Sequence, residues 1–187
     1  MKKYFITYGP FIKFLVVFFV TYITLSFVYK QYLGTYENNQ YPIDPFTESV
    51  SAQVKGLSNF FGANADIQKY IGEKWTRLLF NDIYVARIVE GCNAVSVMIL
   101  FVSFVISFAR KFLPALIFCL TGIVLIHLLN ITRIAALGYF IYKMPEHTHI
   151  LHGVLFPLVI YGFVFILWVV WVRNYSGFIS KKDGQKN

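Results

Sequence analysis

Three side chains in this sequence combine chemical reactivity with an apolar setting: Cys92, Arg133 and His149. An arginine inside a membrane-length apolar run is energetically unfavourable, and such a residue is interpreted as functional by default. A cysteine thiolate is a nucleophile, a histidine transfers protons near neutral pH, and a guanidinium can stabilise the negative charge of a tetrahedral intermediate. These residue types predict acyl transfer, provided that the fold brings them together.

Each of these residues also has a simpler interpretation. A lone cysteine in an apolar helix is more often a small hydrophobic residue. Arg133 could anchor the chain to lipid phosphate, with its charged head in the interface. His147, His149 and His152 could be solvated loop residues. Alternatively, Cys92 and these histidines could bind zinc, although their spacing matches no strong zinc signature.

The composition of the chain predicts a membrane protein. Of the 187 residues, 57% are hydrophobic and only 14% are charged, which is far less charge than a soluble domain carries. The net charge of +8 does not imply nucleic acid, because the basic residues cluster beside apolar runs. Lys and Arg in such places face anionic lipid on the cytoplasmic side. We predict one membrane domain, with lipids as partners and no nucleic acid.

The apolar runs predict an all-α integral membrane protein with about four transmembrane helices. The first run is long and lacks an Ala-x-Ala-like cleavage site, so it is interpreted as a retained anchor rather than a signal peptide. Basic residues flank the runs and place both termini in the cytoplasm. The predicted spans cover residues 11–29, 91–109, 113–142 and 149–172, and a cytoplasmic basic tail follows over 173–187.

Residues 31–90 differ from the rest of the chain and are predicted to form an extracytoplasmic cap. Their charges nearly cancel, which suits the outer side of a membrane. Within the segment, apolar residues at mixed helical spacing over 48–61 predict an interfacial helix. Two runs rich in β-branched and aromatic residues flank Asn81 and Asp82, which predicts a β-hairpin.

The three reactive residues fall at a similar depth in the predicted spans. Counted from the cytoplasmic end of its own span at the helical rise, Cys92 lies about 27 Å along, Arg133 about 30 Å and His149 about 36 Å. The hydrocarbon core is about 30 Å thick. All three residues therefore reach the outer interface. Because the spans were oriented from their basic flanks alone, this agreement is a separate observation.

Small and polar residues follow one side of the predicted third span. At about 100° per residue, Cys119, Gly122 and Asn130 all fall on the side of Arg133. Ser96 falls close to the candidate cysteine on the second span in the same way. Stripes of this kind pack membrane helices against each other. That simpler interpretation does not explain an arginine at the head of one stripe.

Three motifs, in order, resemble those of a known family. Glu-x-Cys opens the second predicted span, Asn-x-x-Arg lies late in the third, and His-x-x-x-Gly opens the fourth. Over about residues 85–172, this arrangement is similar to that of the exosortase and archaeosortase family. Members are integral membrane cysteine transpeptidases or proteases. They are thought to process proteins that end in a short motif, a transmembrane helix and a basic cluster.

The resemblance implies that Cys92 is the nucleophile, Arg133 the transition-state stabiliser and His149 the acid or base, with no cofactor and no metal. His149 is preferred to His152 because it alone completes the motif with Gly153. The expected location is the bacterial cytoplasmic membrane, with the site facing outward. Many members have Cys-Ser-Gly where this chain has Cys-Asn-Ala, and about twice as many spans, so the chain looks like a compact subtype.

Two other classes of function stay open at this point. A non-catalytic membrane scaffold or assembly partner would use Arg133 to pair with lipid or with another subunit. A membrane metalloprotein would use Cys92 together with the histidines. Under the favoured interpretation, Asn130, His152 and Ser96 are the candidates for supporting the catalytic groups.

Overall fold

The computed structural model describes residues 2–147 and 151–174, which form five α-helices and one three-stranded sheet. Short 3-10 turns lie at Glu90–Cys92 and Pro145–His147, and a π-helical turn at Leu151–Leu155. The helices are α1 (Lys2–Gly34), α2 (Pro45–Phe60), α3 (Val95–Ser107), α4 (Phe112–Lys143) and α5 (Phe156–Asn174), and the strands are β1 (Ala65–Lys69), β2 (Trp75–Phe80) and β3 (Ile83–Val89).

In the described part of the chain, three helical segments are long and apolar enough to cross a membrane: Tyr8–Gly34, Phe112–Lys143 and Gly153–Asn174. The prediction of a mainly helical fold is confirmed, and three helices that could cross a membrane agree with the predicted membrane protein. The predicted second span is shorter than expected, since α3 has only 13 residues, or about 20 Å of helix. The backbone ahead of Val95 is not α-helical, so this helix begins four residues later than predicted.

The outward surfaces of these helices are apolar. Large hydrophobic side chains are more than half exposed along α1 and α5, for example Phe11, Phe19 and Phe165. Leu113 and Leu120 are equally exposed on α4. Apolar surface of this extent is typical of a face that contacts lipid or another protein. It therefore agrees with a membrane environment.

Contacts between side chains show that α1 runs antiparallel to α3, whereas α5 runs parallel to α3. Near the start of α1, the Phe14 ring lies 5.8 Å from the Phe104 ring at the end of α3. Near the end of α1, Tyr29 bonds to Asn93, just before α3 begins. Trp168, late in α5, stacks on Phe104 at 4.4 Å. The start of α1 and the ends of α3 and α5 thus lie at one end of the bundle.

The closest approach between α3 and α4 is made at Gly122. A Cβ atom built there would overlap the ring of Phe101, which is fully buried. Cys119, Gly122 and Asn130 are all buried on α4, as the predicted stripe requires. For Cys119 and Gly122, the simpler interpretation as a packing seam is confirmed.

The segment between α1 and α3 contains one helix and the sheet, as predicted, with one strand more. Asp44 caps α2 by accepting a hydrogen bond from the Thr47 amide at 3.0 Å, and Pro45 begins the helix, where its missing N–H does no harm. Asn81 and Asp82 both have positive φ, as the tight turn of a hairpin requires. The predicted hairpin is therefore confirmed, and β1 pairs with it through β2.

The sheet and α2 pack together against the second half of α4. Ile131 and Ile134 of α4 join a buried cluster with Val50 of α2 and Phe80 of β2. A Cβ atom on Gly138 would approach Leu78 to 2.9 Å and Phe80 to 3.2 Å, so the sheet lies directly on the helix. With 32 residues, α4 is about 48 Å long and extends beyond a membrane core by about 18 Å.

Candidate active site

Cys92 lies in the 3-10 turn that follows β3, and its side chain is partly buried. The prediction that it belongs to the second membrane helix is wrong. Asn93 and Ala94 separate it from α3, and Ala94 has a φ of 63°, in the left-handed region. A left-handed residue interrupts an α-helix. The cysteine is thus held by a turn between the sheet and the membrane helices.

Asn93 fixes this turn through three hydrogen bonds. Its side-chain amide is buried and donates to the Tyr29 hydroxyl at 2.8 Å and to the Thr47 hydroxyl at 3.0 Å. Its side-chain oxygen accepts from the Val95 amide at 2.9 Å, in the first turn of α3. One residue therefore connects α1, α2 and α3 directly beside the cysteine. A serine, as in the Cys-Ser-Gly pattern, is too short to reach so many partners.

Asn130 connects the cysteine to the arginine. Its side-chain amide donates to the main-chain carbonyl of Cys92 at 2.7 Å. Its side-chain oxygen accepts from Nη1 of Arg133, one turn further along α4, at 3.4 Å. Asn130 is completely buried. The predicted supporting role of Asn130 thus corresponds to a defined geometry.

Cys92 and Arg133 line the same small cavity, of about 200 Å³, between β3 and α4. Its wall is otherwise apolar, apart from Arg87 of β3. The Arg133 Nε is buried and has no hydrogen-bond partner among the described residues. No carboxylate lines this cavity in the part of the chain that the structure describes, so its two arginines have no counter-charge among the lining residues.

Arg87 is a site residue that the sequence reasoning missed. It lies directly opposite Arg77 in the β2–β3 register, and like charges at such positions are unfavourable. Arg77 forms an ion pair with Glu73 at 2.6 Å. Among the described residues, the recorded partner of the Arg87 guanidinium is the Trp75 ring, 5.6 Å away. Its place in a predicted hairpin that leads into Cys92 was the signal that could have identified it.

The remaining predicted site residues are not assembled by the described structure. Ser96 lies on α3, is exposed, and does not line the cavity, so its predicted place beside Cys92 is not supported. This follows because Cys92 is not on the same helix. His149 lies outside the described residues. The backbone at His152 belongs to the turn before α5, and its role stays a prediction.

Metal binding has no support within residues 2–147 and 151–174, where no group of three or more His, Cys, Asp or Glu side chains could hold an ion. His127 has a structural environment of its own. Its Nε2 lies 3.0 Å from the Gln53 side-chain oxygen, and its ring packs 5.7 Å from Phe46. It therefore ties α4 to α2.

A larger cavity, of about 440 Å³, lies between α2 and α4. It is lined by Thr132 and Tyr139 of α4, which fall on the opposite side of the helix from Arg133 and Leu137 at about 100° per residue. Apart from the Tyr139 hydroxyl, no titratable group lines it. It therefore lacks the chemistry of the smaller cavity.

Comparisons with known protein families, with characterised proteins and with solved structures give no match to this chain. A partly exposed thiol and a guanidinium with an unpaired donor share one cavity, and an amide bonds to both residues. This arrangement can offer a nucleophile and a hydrogen-bond donor to a carbonyl group that lies between them.

Proposed function

We propose that the protein is an exosortase-like membrane cysteine peptidase or transpeptidase, which cleaves the C-terminal sorting signals of secreted proteins. The observation that carries the proposal is the shared cavity of Cys92 and Arg133, with Asn130 bonded to both residues. The motifs had placed these residues on separate segments, 41 positions apart in the chain. If helix packing alone decided which residues meet at this cavity, there would be no reason for them to be the two residues that the motifs identify.

The proposed reaction is acyl transfer. The Cys92 thiolate attacks the scissile carbonyl, and the carbonyl oxygen becomes an oxyanion that the Arg133 guanidinium stabilises. The intermediate collapses to a thioester as the C–N bond breaks, and His149 gives a proton to the leaving amine. His149 then takes a proton from water or from an incoming amine, which attacks the thioester and releases Cys92.

The location of the site is proposed to be the outer face of a bacterial cytoplasmic membrane. If the membrane core begins near Phe112, a thickness of about 30 Å corresponds to about 20 residues of α4. Arg133 then lies at the outer boundary, and the end of α4 stands outside with the sheet. In this arrangement α3 is a fourth, short crossing, extended at its outer end by the turn that holds Cys92.

A membrane-anchored substrate suits a site at this depth. The transmembrane helix of the substrate would hold the peptide bond just outside the membrane at a fixed height, so that recognition is largely a matter of position. The basic cluster that follows this helix would remain on the cytoplasmic side. Membrane lipids complete the surroundings of the site.

One observation favours a second candidate function. The buried Arg133 Nε has no partner among the described residues, and a scaffold protein could use this donor to bind a lipid phosphate or another subunit. A scaffold needs the arginine but not the thiol. The two candidates therefore make opposite predictions for Cys92.

The two cysteines of the chain provide the test. Cys92→Ala and Cys119→Ala are the same chemical change, at the cavity and at the packing seam respectively. In host cells, the C-termini of secreted proteins would be measured by mass spectrometry of intact proteins. We expect Cys92→Ala to lower processing by at least about 10³-fold at normal abundance, and Cys119→Ala to process normally. Normal processing by Cys92→Ala would support the scaffold instead.

A further inference from the structure

The edge of β3 that faces away from β2 is unpaired. In the described part of the chain the strand order is β1-β2-β3, and β3 pairs with β2 alone. Every second residue of such an edge strand points its N–H and C=O groups outward, where another extended chain can bind them. An unpaired edge is thus specific for a peptide backbone in a way that an apolar surface is not.

This edge borders the cavity that contains Cys92. Val85, Ala86 and Arg87 of β3 form one wall, and Ile134, Leu137 and Ile141 of α4 form the other. The volume of about 200 Å³ is below the roughly 300–1,000 Å³ of small-molecule sites. It suits a side chain of a bound peptide better than a separate ligand.

The direction of β3 matches the path of a membrane-anchored chain. Where the strand begins, Asn81 donates to the Tyr142 hydroxyl near the end of α4. Where it ends, the chain turns into Cys92, beside Asn130. The strand therefore descends towards the proposed membrane boundary along the groove between β3 and α4. A substrate that enters the membrane after its outer domain descends in the same direction, so it would lie parallel to β3.

The sheet itself limits where a strand can be added. A β-bulge interrupts the β2–β3 register at Val85, and bulges interrupt regular pairing. The regular part of the edge is therefore Ala86–Val89, which is also the part nearest to Cys92. A strand that pairs with Ala86–Val89 would bring the residues that follow its paired segment to Cys92.

The charges of the groove define the segment that fits. Arg87 and Arg133 line it, and no carboxylate does so among the residues described. A segment with Lys or Arg would bring like charges together without a counter-ion. A neutral or acidic segment avoids this repulsion, and the buried Arg133 Nε, which has no partner among the described residues, can donate to one of its oxygens.

We propose that the free edge of β3 over Ala86–Val89 binds the extended segment of the substrate that precedes its transmembrane helix, as a fourth strand parallel to β3. This inference rests on the proposed function and adds the means of recognition. Main-chain hydrogen bonds supply the affinity, as in other complexes formed by strand addition, and the cavity receives one side chain. Cys92 then meets the peptide bond that follows the paired residues.

Disulfide mapping tests the added strand without using catalysis. The full-length Cys92→Ala, Cys119→Ala protein would be reconstituted in phosphatidylcholine vesicles. The probe is a synthetic peptide with ten alternating Thr and Val residues, a 20-residue Leu/Ala span and three lysines. Single cysteines would scan the Thr/Val segment against Val89→Cys or Arg87→Cys, two positions within the regular edge. Gln68→Cys, on the opposite edge strand β1, is the matched control.

The proposal predicts cross-links at alternate peptide positions, with Val89→Cys reaching positions nearer to the span than Arg87→Cys does. Yields at Gln68→Cys should be at least tenfold lower. A strand pairs with its neighbour through every second amide. N-methylation of the alternate amides that face β3 should therefore abolish cross-linking, whereas N-methylation of the other alternate set should preserve it. In the Val89→Cys protein, a lysine at the peptide position opposite Arg87 should lower the cross-linking yield at least fivefold, whereas a glutamate at that position should not.

Equal yields at β1 and β3, no preference for alternate positions, or equal effects of both N-methylation phases would overturn the added strand. These results are independent of the thiol, because the mapped protein has no Cys92. If Cys92→Ala stops processing in cells and the mapping fails, the peptidase stands and the edge is not its recognition element. If the mapping succeeds and Cys92→Ala processes normally, the edge binds a peptide that this protein does not cleave.

Discussion

The side chain of Asn130 donates a hydrogen bond to the main-chain carbonyl of Cys92 across 2.7 Å. The two residues come from different segments, since Cys92 ends the turn after the sheet and Asn130 lies in the middle of the long helix α4. The bond fixes the height of the cysteine turn against α4. Because Arg133 donates to the same side chain, the position of the thiol relative to the guanidinium depends on this one amide.

Removing the amide should therefore affect both stability and activity. Asn130→Ala leaves the Cys92 carbonyl without this partner in a partly buried place, which costs about 1–3 kcal/mol. Ser103→Ala is a matched control, because Ser103 is equally buried but bonds only to Ile99 in its own helix. For the control, we expect the free energy of unfolding to change by less than about 1 kcal/mol. Both variants would be measured by thermal unfolding in detergent. Equal losses for both variants would contradict a special role for Asn130.

Apolar pattern and turn chemistry were sufficient to predict much of the fold. The helix α2 has apolar residues at helical spacing, and the hairpin has a turn at Asn81 and Asp82 that needs positive φ. The strand β1 was missed because its five residues include Asp66, Gln68 and Lys69 and have no strong strand propensity. It is held by its pairing with β2, which is a tertiary contact.

The candidate site was predictable in part for a similar reason. Arg133 stands out because a charge within an apolar run is rare. Its depth in the membrane could be predicted because it depends only on the helical rise. The turn around Cys92 was not predictable, since its left-handed residue is an alanine rather than the expected glycine. Ser96 was consequently placed on the wrong side. Arg87 escaped notice because a charged residue on an exposed strand is ordinary until the fold places it beside Cys92.

The seam between α3 and α4 should be sensitive to a single added methyl group. Gly122→Ala would force the buried Phe101 ring to move, and overpacking of this kind costs about 1–3 kcal/mol. Gly162→Ala on α5 is the control, because no atom lies within 4 Å of the added group. There the change should be neutral or stabilising by up to about 1 kcal/mol. Thermal unfolding of both variants decides whether the helices pack as described.

Arg133→Lys separates an oxyanion donor from a lipid anchor. Lysine keeps the positive charge and can still reach lipid phosphate, but it lacks the planar, forked set of donors. As an oxyanion donor, Arg133 should tolerate this change poorly, with processing lowered roughly 10²–10³-fold. Protein abundance in the membrane should stay normal. Processing at the normal rate in Arg133→Lys would instead support the anchor.

The orientation of the chain can be measured directly. In a Cys92→Ala, Cys119→Ala background, a membrane-impermeant thiol reagent should label Gln40→Cys and Pro145→Cys in intact spheroplasts. Gln185→Cys, in the basic tail outside the described residues, should react only after lysis, because basic flanks remain in the cytoplasm. Labelling of the tail in intact spheroplasts, with no labelling at the other two positions, would put the candidate site on the cytoplasmic side.

The last prediction concerns the acid or base. His149 is preferred because it completes the motif with Gly153. It is also predicted to lie closer to the outer water than His152, which is three residues further along the predicted fourth span. His149→Ala should lower processing by about 10²–10⁴-fold, the usual contribution of a general acid or base. His152→Ala is the natural control and should retain most activity. The pH profile gives a second criterion, since loss of a titrating base removes one limb of a bell-shaped curve, whereas loss of a packing residue leaves its shape unchanged. The assignment would be reversed if His152→Ala abolished processing and removed that limb while His149→Ala did neither.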